Sequence, residues 1–298
     1  MTLLTALILP VLCVLLAPTD AWAWGPITHI VHGTTVLENL YRFSPAMQAL
    51  LTAHADRYLY GCVGADIIQA KAYTRSVATH CHRWPVAWRI VGSARTDGEL
   101  AFAWGYMTHL AADVLSHNHF VPLHLVLSFA GRTSGHAYWE ARVDGLQDEH
   151  HASRLRHVLT SSYEDCDALV DRVVEHTLFS FRTNKRIFDS LMGLAKLDRW
   201  QRLVRTVNDR SRFRLTRETV DTYNRACVAA AVDLLSNRKQ SYTQMQDPTG
   251  KDTLERAFVL RRKLRQLERQ RGLPEGLSQT MADSLAPADL IKDASRAA

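Results

Sequence analysis

Beyond residue 23 the chain lacks any long hydrophobic run: no stretch approaches the ~18 apolar residues that cross a bilayer, which excludes a polytopic membrane fold. Strand signals are scarce, and neither an internal repeat nor a low-complexity tract is visible. Cysteine is also sparse. Of five cysteines, Cys13 falls within the first 23 residues, leaving Cys62, Cys81, Cys166 and Cys227 at spacings unlike a zinc ribbon. An exported protein can pair such residues, but spacing assigns no connectivity. What remains is ordinary globular composition: 47% hydrophobic and 22% charged over 298 residues, enough for one large domain or two small ones.

The opening "MTLLTALILPVLCVLLAPTDAWA" is a nearly continuous apolar run ending in Ala21-Trp22-Ala23, the small-x-small form that signal peptidase accepts. Residues 1–23 therefore read as a secretory signal, and the mature protein is expected to be secreted or periplasmic. A positive n-region is missing, so an uncleaved anchor is the competing reading. Cys13 follows Pro10-Val11-Leu12 and lacks the small residues of a lipoprotein site. Removing residues 1–23 takes away Asp20 and no basic group, moving the formal charge from +6 to +7. The excess is concentrated at 251–271, where eight basic residues stand against three acidic ones. With Leu254, Phe258, Leu260, Leu264 and Leu267 at near-helical spacing, this stretch reads as a basic amphipathic helix. Two readings stay open for it: a solvated helix packed on the domain, or a binder of an anionic membrane surface.

Helical periodicity predicts helices at roughly 33–42, 45–58, 84–96, 97–117, 136–150, 151–160, 163–180, 185–207, 215–237 and 252–271. The expected fold class is all-α. One multi-helix domain spans 24–240, and the basic helix and a loosely attached tail occupy 241–298. Segments 61–84 and 121–135 read as loops, long for helix connections and so candidates for function.

The chemistry concentrates in "AFAWGYMTHLAADVLSHNHF", residues 101–120. His109, Asp113 and His117 stand at i, i+4 and i+8, on one face of a helix whose neighbours are apolar. An unpaired buried carboxylate is costly, and a bound cation removes that cost. One such histidine alone would be an ordinary hydrogen-bonded core residue; further candidates alter that balance. "SGHAYWEARVDG" supplies His136 and Glu140 at i, i+4; "VGADI" supplies Asp66; "THCHRW" supplies His80 and His82; "WGPITHIVH" supplies His29 and His32. Histidine and carboxylate without cysteine suit zinc or another borderline divalent ion, and paired clusters suggest more than one.

As an ordered set, Trp24, His29, Asp66, a histidine of "THCHRW", "HLAAD" with His109 and Asp113, His119, and "HAYWE" with His136 and Glu140 resemble the zinc-dependent bacterial phospholipases C. The single-strand-specific zinc nucleases share that all-helical fold. The resemblance implies a trinuclear zinc site: Asp66, His80 or His82, His109 and Asp113 on one ion; the Trp24 backbone amine and carbonyl, His29 and bridging Asp113 on a second; His119, His136 and Glu140 on the third. Two assignments stay open. His80 has the family spacing from Asp66, whereas His82 has the His-x-Trp context; His119 has the family step from Asp113, whereas His117 has the helical phase. On this resemblance the Trp24 amine becomes a ligand only after cleavage at Ala23.

The activity implied is hydrolysis of a glycerophospholipid phosphodiester by a monomeric enzyme, with Asp66 as general base. Glu rather than Asp at 140 points to the lipase branch. The alternatives are a zinc nuclease or other phosphodiesterase acting on nucleic acid, and a metal-binding protein without turnover. Trp84, Trp88, Trp104, Tyr138 and Trp139 read either as core or as lipid and head-group contacts.

Overall fold

The computed structural model describes residues 24–68, 80–131, 135–174, 180–192, 197–211, 213, 215–285 and 291. The described residues are helical and contain no strand, so the all-α expectation is met. None of these helices is long and apolar enough to cross a membrane. Residues 1–23, with the expected signal, lie outside the described residues.

The order is α1 (Pro26–Glu38), α2 (Pro45–Ala53), α3 (Ala55–Ile67), α4 (Trp84–Ser93), α5 (Asp97–Leu115), α6 (Val121–Leu127), α7 (His136–Leu146) and α8 (Glu149–Thr160). It continues with α9 (Glu164–Val173), α10 (Phe181–Met192), α11 (Leu197–Arg210), α12 (Arg217–Asn237), α13 (Lys251–Arg271) and α14 (Leu277–Asp283). Helix α5 is the central rod. Thr96 caps it by accepting from the Glu99 amide at 3.1 Å, while Glu99 returns a carboxylate oxygen to the Arg95 amide at 2.5 Å. From Ala101 to Leu115 it is buried all round, as a helix with no solvent face must be.

α3 lies closest to α5 because both helices carry glycine at the crossing. A Cβ on Gly61 would overlap the Phe102 carbonyl oxygen, and one on Gly105 would overlap the Tyr58 carbonyl oxygen. α1, α4 and α12 complete the packing around α5. Beyond Leu115 the rod widens into a π-helical turn, Ser116–Phe120, before α6. Pro122 has no N–H to return to the Asn118 carbonyl, a local reason for the α-helical ladder to break there.

Several boundaries differ from the sequence expectation: the helix expected over 45–58 is interrupted at His54, the one expected over 163–180 is described as Glu164–Val173, and that expected over 185–207 as two helices, Phe181–Met192 and Leu197–Arg210. The segment expected as a loop from residue 61 is helical through Ile67, because Gly61 and Gly64 serve close packing rather than a turn. Val121–Leu127, also expected as loop, is α6. And α1 starts at Pro26, not near 33. Its first turn is capped from far away in sequence: Asp144 accepts from the Ile27 amide at 3.2 Å, the Thr28 amide at 2.8 Å and the Thr28 hydroxyl at 2.6 Å. No local pattern carries such a cap.

The basic helix α13 packs on α6 through Ala257, Arg261 and Leu264. Arg261 donates to the Gly131 carbonyl at 2.8 Å, and Arg265 donates to the carbonyls of Phe129 at 2.6 Å and Gly131 at 2.7 Å. In the segment expected as tail, α14 also packs on α6, and Ala282 and Leu285 are buried.

Candidate metal centre

Two buried sets of imidazoles and carboxylates form around α5. The first gathers His29 from α1, Asp66 from the end of α3, His82 from just before α4, and His109 and Asp113 from α5; each is at most 2% exposed. His82 Nε2 lies 3.3 Å from Asp66 Oδ1 and 3.4 Å from Asp113 Oδ2. His109 Nε2 is 3.8 Å from Asp66 Oδ1 and 3.2 Å from Asp113 Oδ2. His29 Nε2 is 3.9 Å from Asp66 Oδ2 and 3.4 Å from Asp113 Oδ1, and its ring stacks on His109 at 3.9 Å.

Protonation chemistry constrains what this set could hold. The Cys62 carbonyl, 2.8 Å from His109 Nδ1, takes the ring proton there, so in the neutral ring the lone pair sits on Nε2. That lone pair faces His82 Nε2 at 3.1 Å. Neither oxygen of Asp113 meets hydrogen-bond geometry with any donor, nor does His29 Nε2. Lone pairs and carboxylates converging in a dry pocket repel one another unless positive charge lies between them. Burial, reinforced by the nearby His109, holds the His29 pKa well below its usual range. At His109 burial also opposes the proton, but Asp113 and Asp66 outweigh it and push the pKa up. The donors are nitrogen and oxygen, the set that zinc accepts.

The second set joins His117 from the π-helical turn to His136 and Glu140 on α7, with one ligand atom from each within 4.8 Å of the others. His136 Nε2 lies 2.6 Å from Glu140 Oε1, and the His117 and His136 rings meet edge-on with centroids 4.9 Å apart. All three residues are buried.

Against the sequence candidates, the structure brings His82 into the first set and leaves His80 beside it, accepting from the His82 amide at 3.2 Å. It brings His117 into the second set, whereas His119 Nδ1 meets the Tyr223 hydroxyl at 2.8 Å. Trp24 is buried next to α5: its indole donates to the Ala112 carbonyl at 3.0 Å, one residue before Asp113. His32, buried, meets Asn224 Oδ1 at 3.0 Å. Trp84, Trp104 and Trp139 are core, while Trp88 is only partly buried. Arg238 already covers the Trp104 ring at 5.7 Å and Lys239 the Trp88 ring at 5.5 Å.

Sequence reasoning missed Asp144. It stands at i+8 after His136 and i+4 after Glu140, repeating the rhythm of His109, Asp113 and His117, and that rhythm was the available signal. By capping α1 it ties the Trp24–His29 segment to the ligand helix α7. Burial raises its pKa to about 6 despite the Thr28 hydrogen bonds, and a Cβ on Gly25 would run into its carboxylate.

An all-helical scaffold thus buries facing imidazoles and carboxylates around one central helix, in clusters that could hold metal ions. Residues 28–194 match the family model described as zinc dependent phospholipase C, and the chain belongs to that family. Membership makes it a zinc-dependent phosphodiester hydrolase and implies a phospholipid substrate. No curated protein and no solved structure matches the chain.

Proposed function

We propose that the chain is a phospholipase C of the exported kind, freed of residues 1–23, which cleaves a glycerophospholipid to diacylglycerol and a phosphorylated head group. The observation that carries this reading is the buried carboxylate of Asp113, whose oxygens accept no hydrogen bond, set among His29, His82 and His109. Three ions fit the donors present. Asp66, His82, His109 and Asp113 hold one; His29, Asp113 and the backbone of Trp24 hold a second; His117, His136 and Glu140 hold the third. Bound zinc supplies Lewis-acid polarisation of the phosphoryl group and an activated water.

The chain's own residues supply the rest. Asp66 takes a proton from the attacking water as general base. Asp144 keeps the Trp24–His29 segment docked, and burial of His29, Asp66, His82, His109 and Asp113 keeps the site dry. The exposed face of α13 favours an anionic lipid surface as the place of work.

Metal content per chain, measured by elemental mass spectrometry on protein beginning at Trp24, tests the proposal together with release of phosphorylated head group from lipid vesicles. About three zinc ions and lipid cleavage support it. Zinc with cleavage of single-stranded nucleic acid instead assigns the nuclease chemistry; zinc with neither activity assigns a binding protein. No stoichiometric metal refutes all three.

A further inference from the structure

Three histidines near the centre, His32, His117 and His119, each have a ring nitrogen held by a part of the chain beyond the matched region 28–194. His32 meets Asn224 and His119 meets Tyr223, both on α12. His117 Nδ1 donates to the Pro248 carbonyl at 2.6 Å. The turn carrying that carbonyl is itself well braced. Asn118 Nδ2 donates to the Asp247 carbonyl at 2.9 Å, and the Gly250 amide donates to the same carbonyl at 3.0 Å. Asp247 also accepts from the Thr249 amide at 3.1 Å and hydroxyl at 2.7 Å. Gly250 has φ +56°, and a Cβ there would overlap the backbone carbonyl and Cβ of His117. Glycine is required twice over, by the left-handed backbone and by the closeness of His117.

We propose that the turn Asp247–Gly250 is the positioning element for the ion at His117, His136 and Glu140, and that it decides for His117 over His119. The Pro248 carbonyl takes the Nδ1 proton, so the lone pair that His117 offers is on Nε2, in one tautomer and one ring orientation. Gly250 leaves the room that this orientation needs. His119, whose Nδ1 meets Tyr223, is not among the residues whose ligand atoms gather with those of His136 and Glu140. The segment 217–250 is thus part of the metal centre although it lies past the family match. This inference rests on the reading that the second set holds zinc.

The test challenges the zinc-loaded, full-length chain with a chromophoric chelator, in wild type, Gly250→Ala, Asn118→Ala and Tyr223→Phe. A parallel series records the visible spectrum of the cobalt-substituted protein. Expected is a selective loss: one ion is released with affinity lowered about 10–100-fold in Gly250→Ala, less so in Asn118→Ala, and the remaining ions are unaffected. Tyr223→Phe releases zinc as wild type does. Asn118→Ala, which removes the brace to Asp247 along with the side chain's bonds to the Val114 carbonyl and the Thr253 hydroxyl but leaves Gly250 in place, decides the matter if Gly250→Ala does not fold. Native affinity in both turn variants overturns the proposal. So does loss of all ions together, or weakening of the same ion by Tyr223→Phe. A wild-type chain that takes up no zinc rejects the proposed function itself, whereas loaded wild type with indifferent variants rejects only the role of the turn.

Discussion

Gly61 and Gly105 face one another across the crossing of α3 and α5, each missing the Cβ that would strike the other helix's backbone. That closeness places Asp66, five residues beyond Gly61, within 3.8 Å of His109, four residues beyond Gly105. Backbone cannot yield as a side-chain tip can, so Gly105→Ala forces the helices apart. We expect a loss of roughly 3 kcal/mol, the upper end of overpacking costs, in urea denaturation, together with reduced zinc content. Unchanged stability and full zinc content would mean the helices have slack at the crossing.

Asp66 is fully buried and shares His82 with Asp113, and the proposed function gives this one carboxylate two roles, ligand and base. Asn preserves its shape and one oxygen donor but not its basicity. Asp66→Asn should lower kcat by about 100-fold or more while most zinc stays bound, read from turnover and metal content on the same sample. Equal turnover in the variant removes Asp66 from proton transfer.

Much of the fold was legible in the chain because helical periodicity and the lack of strand signals are local properties. The i, i+4, i+8 spacing of His109, Asp113 and His117 likewise marked one helix face, and that face looks into the centre. What local pattern does not encode is supplied from a distance. The cap of α1 comes from Asp144, and the tautomer of His117 from Pro248. Gly61 and Gly64 resemble a turn in sequence, and only the partner helix shows that they are packing residues. Between His117 and His119 the sequence leaves the choice open, and the gathering of His117 with His136 and Glu140 depends on how α7 packs against the π-helical turn, a tertiary relation.

His124 offers a pH-dependent contribution independent of the ligands. It is buried on α6, donates from Nδ1 to the Phe120 carbonyl at 2.7 Å, and packs on Trp139. Burial lowers its pKa from 6.5 to about 4, despite that hydrogen bond and with Arg142 opposing the proton. The unfolded chain therefore binds the proton between those values and the folded one does not. Stability from this residue is complete above pH 6.5 and is lost as pH falls toward 4, by about 3 kcal/mol for the full shift. His124→Asn keeps a donor and does not titrate. Zinc-saturated wild type should lose more stability than this variant between pH 7 and pH 5, and identical slopes would show that the folded protein protonates His124 as readily as the unfolded chain does.

The outer face of α13 sets Phe258, 40% exposed, and Val259, 59% exposed, beside Arg256, Arg262 and Lys263. Its inner face is committed to α6 through Ala257, Arg261 and Leu264, so these residues are not spare core. Apolar side chains ringed by basic ones suit the boundary of an anionic bilayer, where each basic residue contributes about 1 kcal/mol at low salt. Arg262→Ala with Lys263→Ala should therefore weaken cosedimentation with phosphatidylserine vesicles by roughly 30-fold, corresponding to about 2 kcal/mol. Phe258→Ser with Val259→Ser should weaken binding to vesicles at high salt, where charge is screened. Hydrolysis of a short-chain, monomeric substrate should be unchanged in both pairs, because neither touches the two ligand sets. Vesicle binding that ignores both pairs and the salt concentration would leave α13 with only its scaffold role against α6.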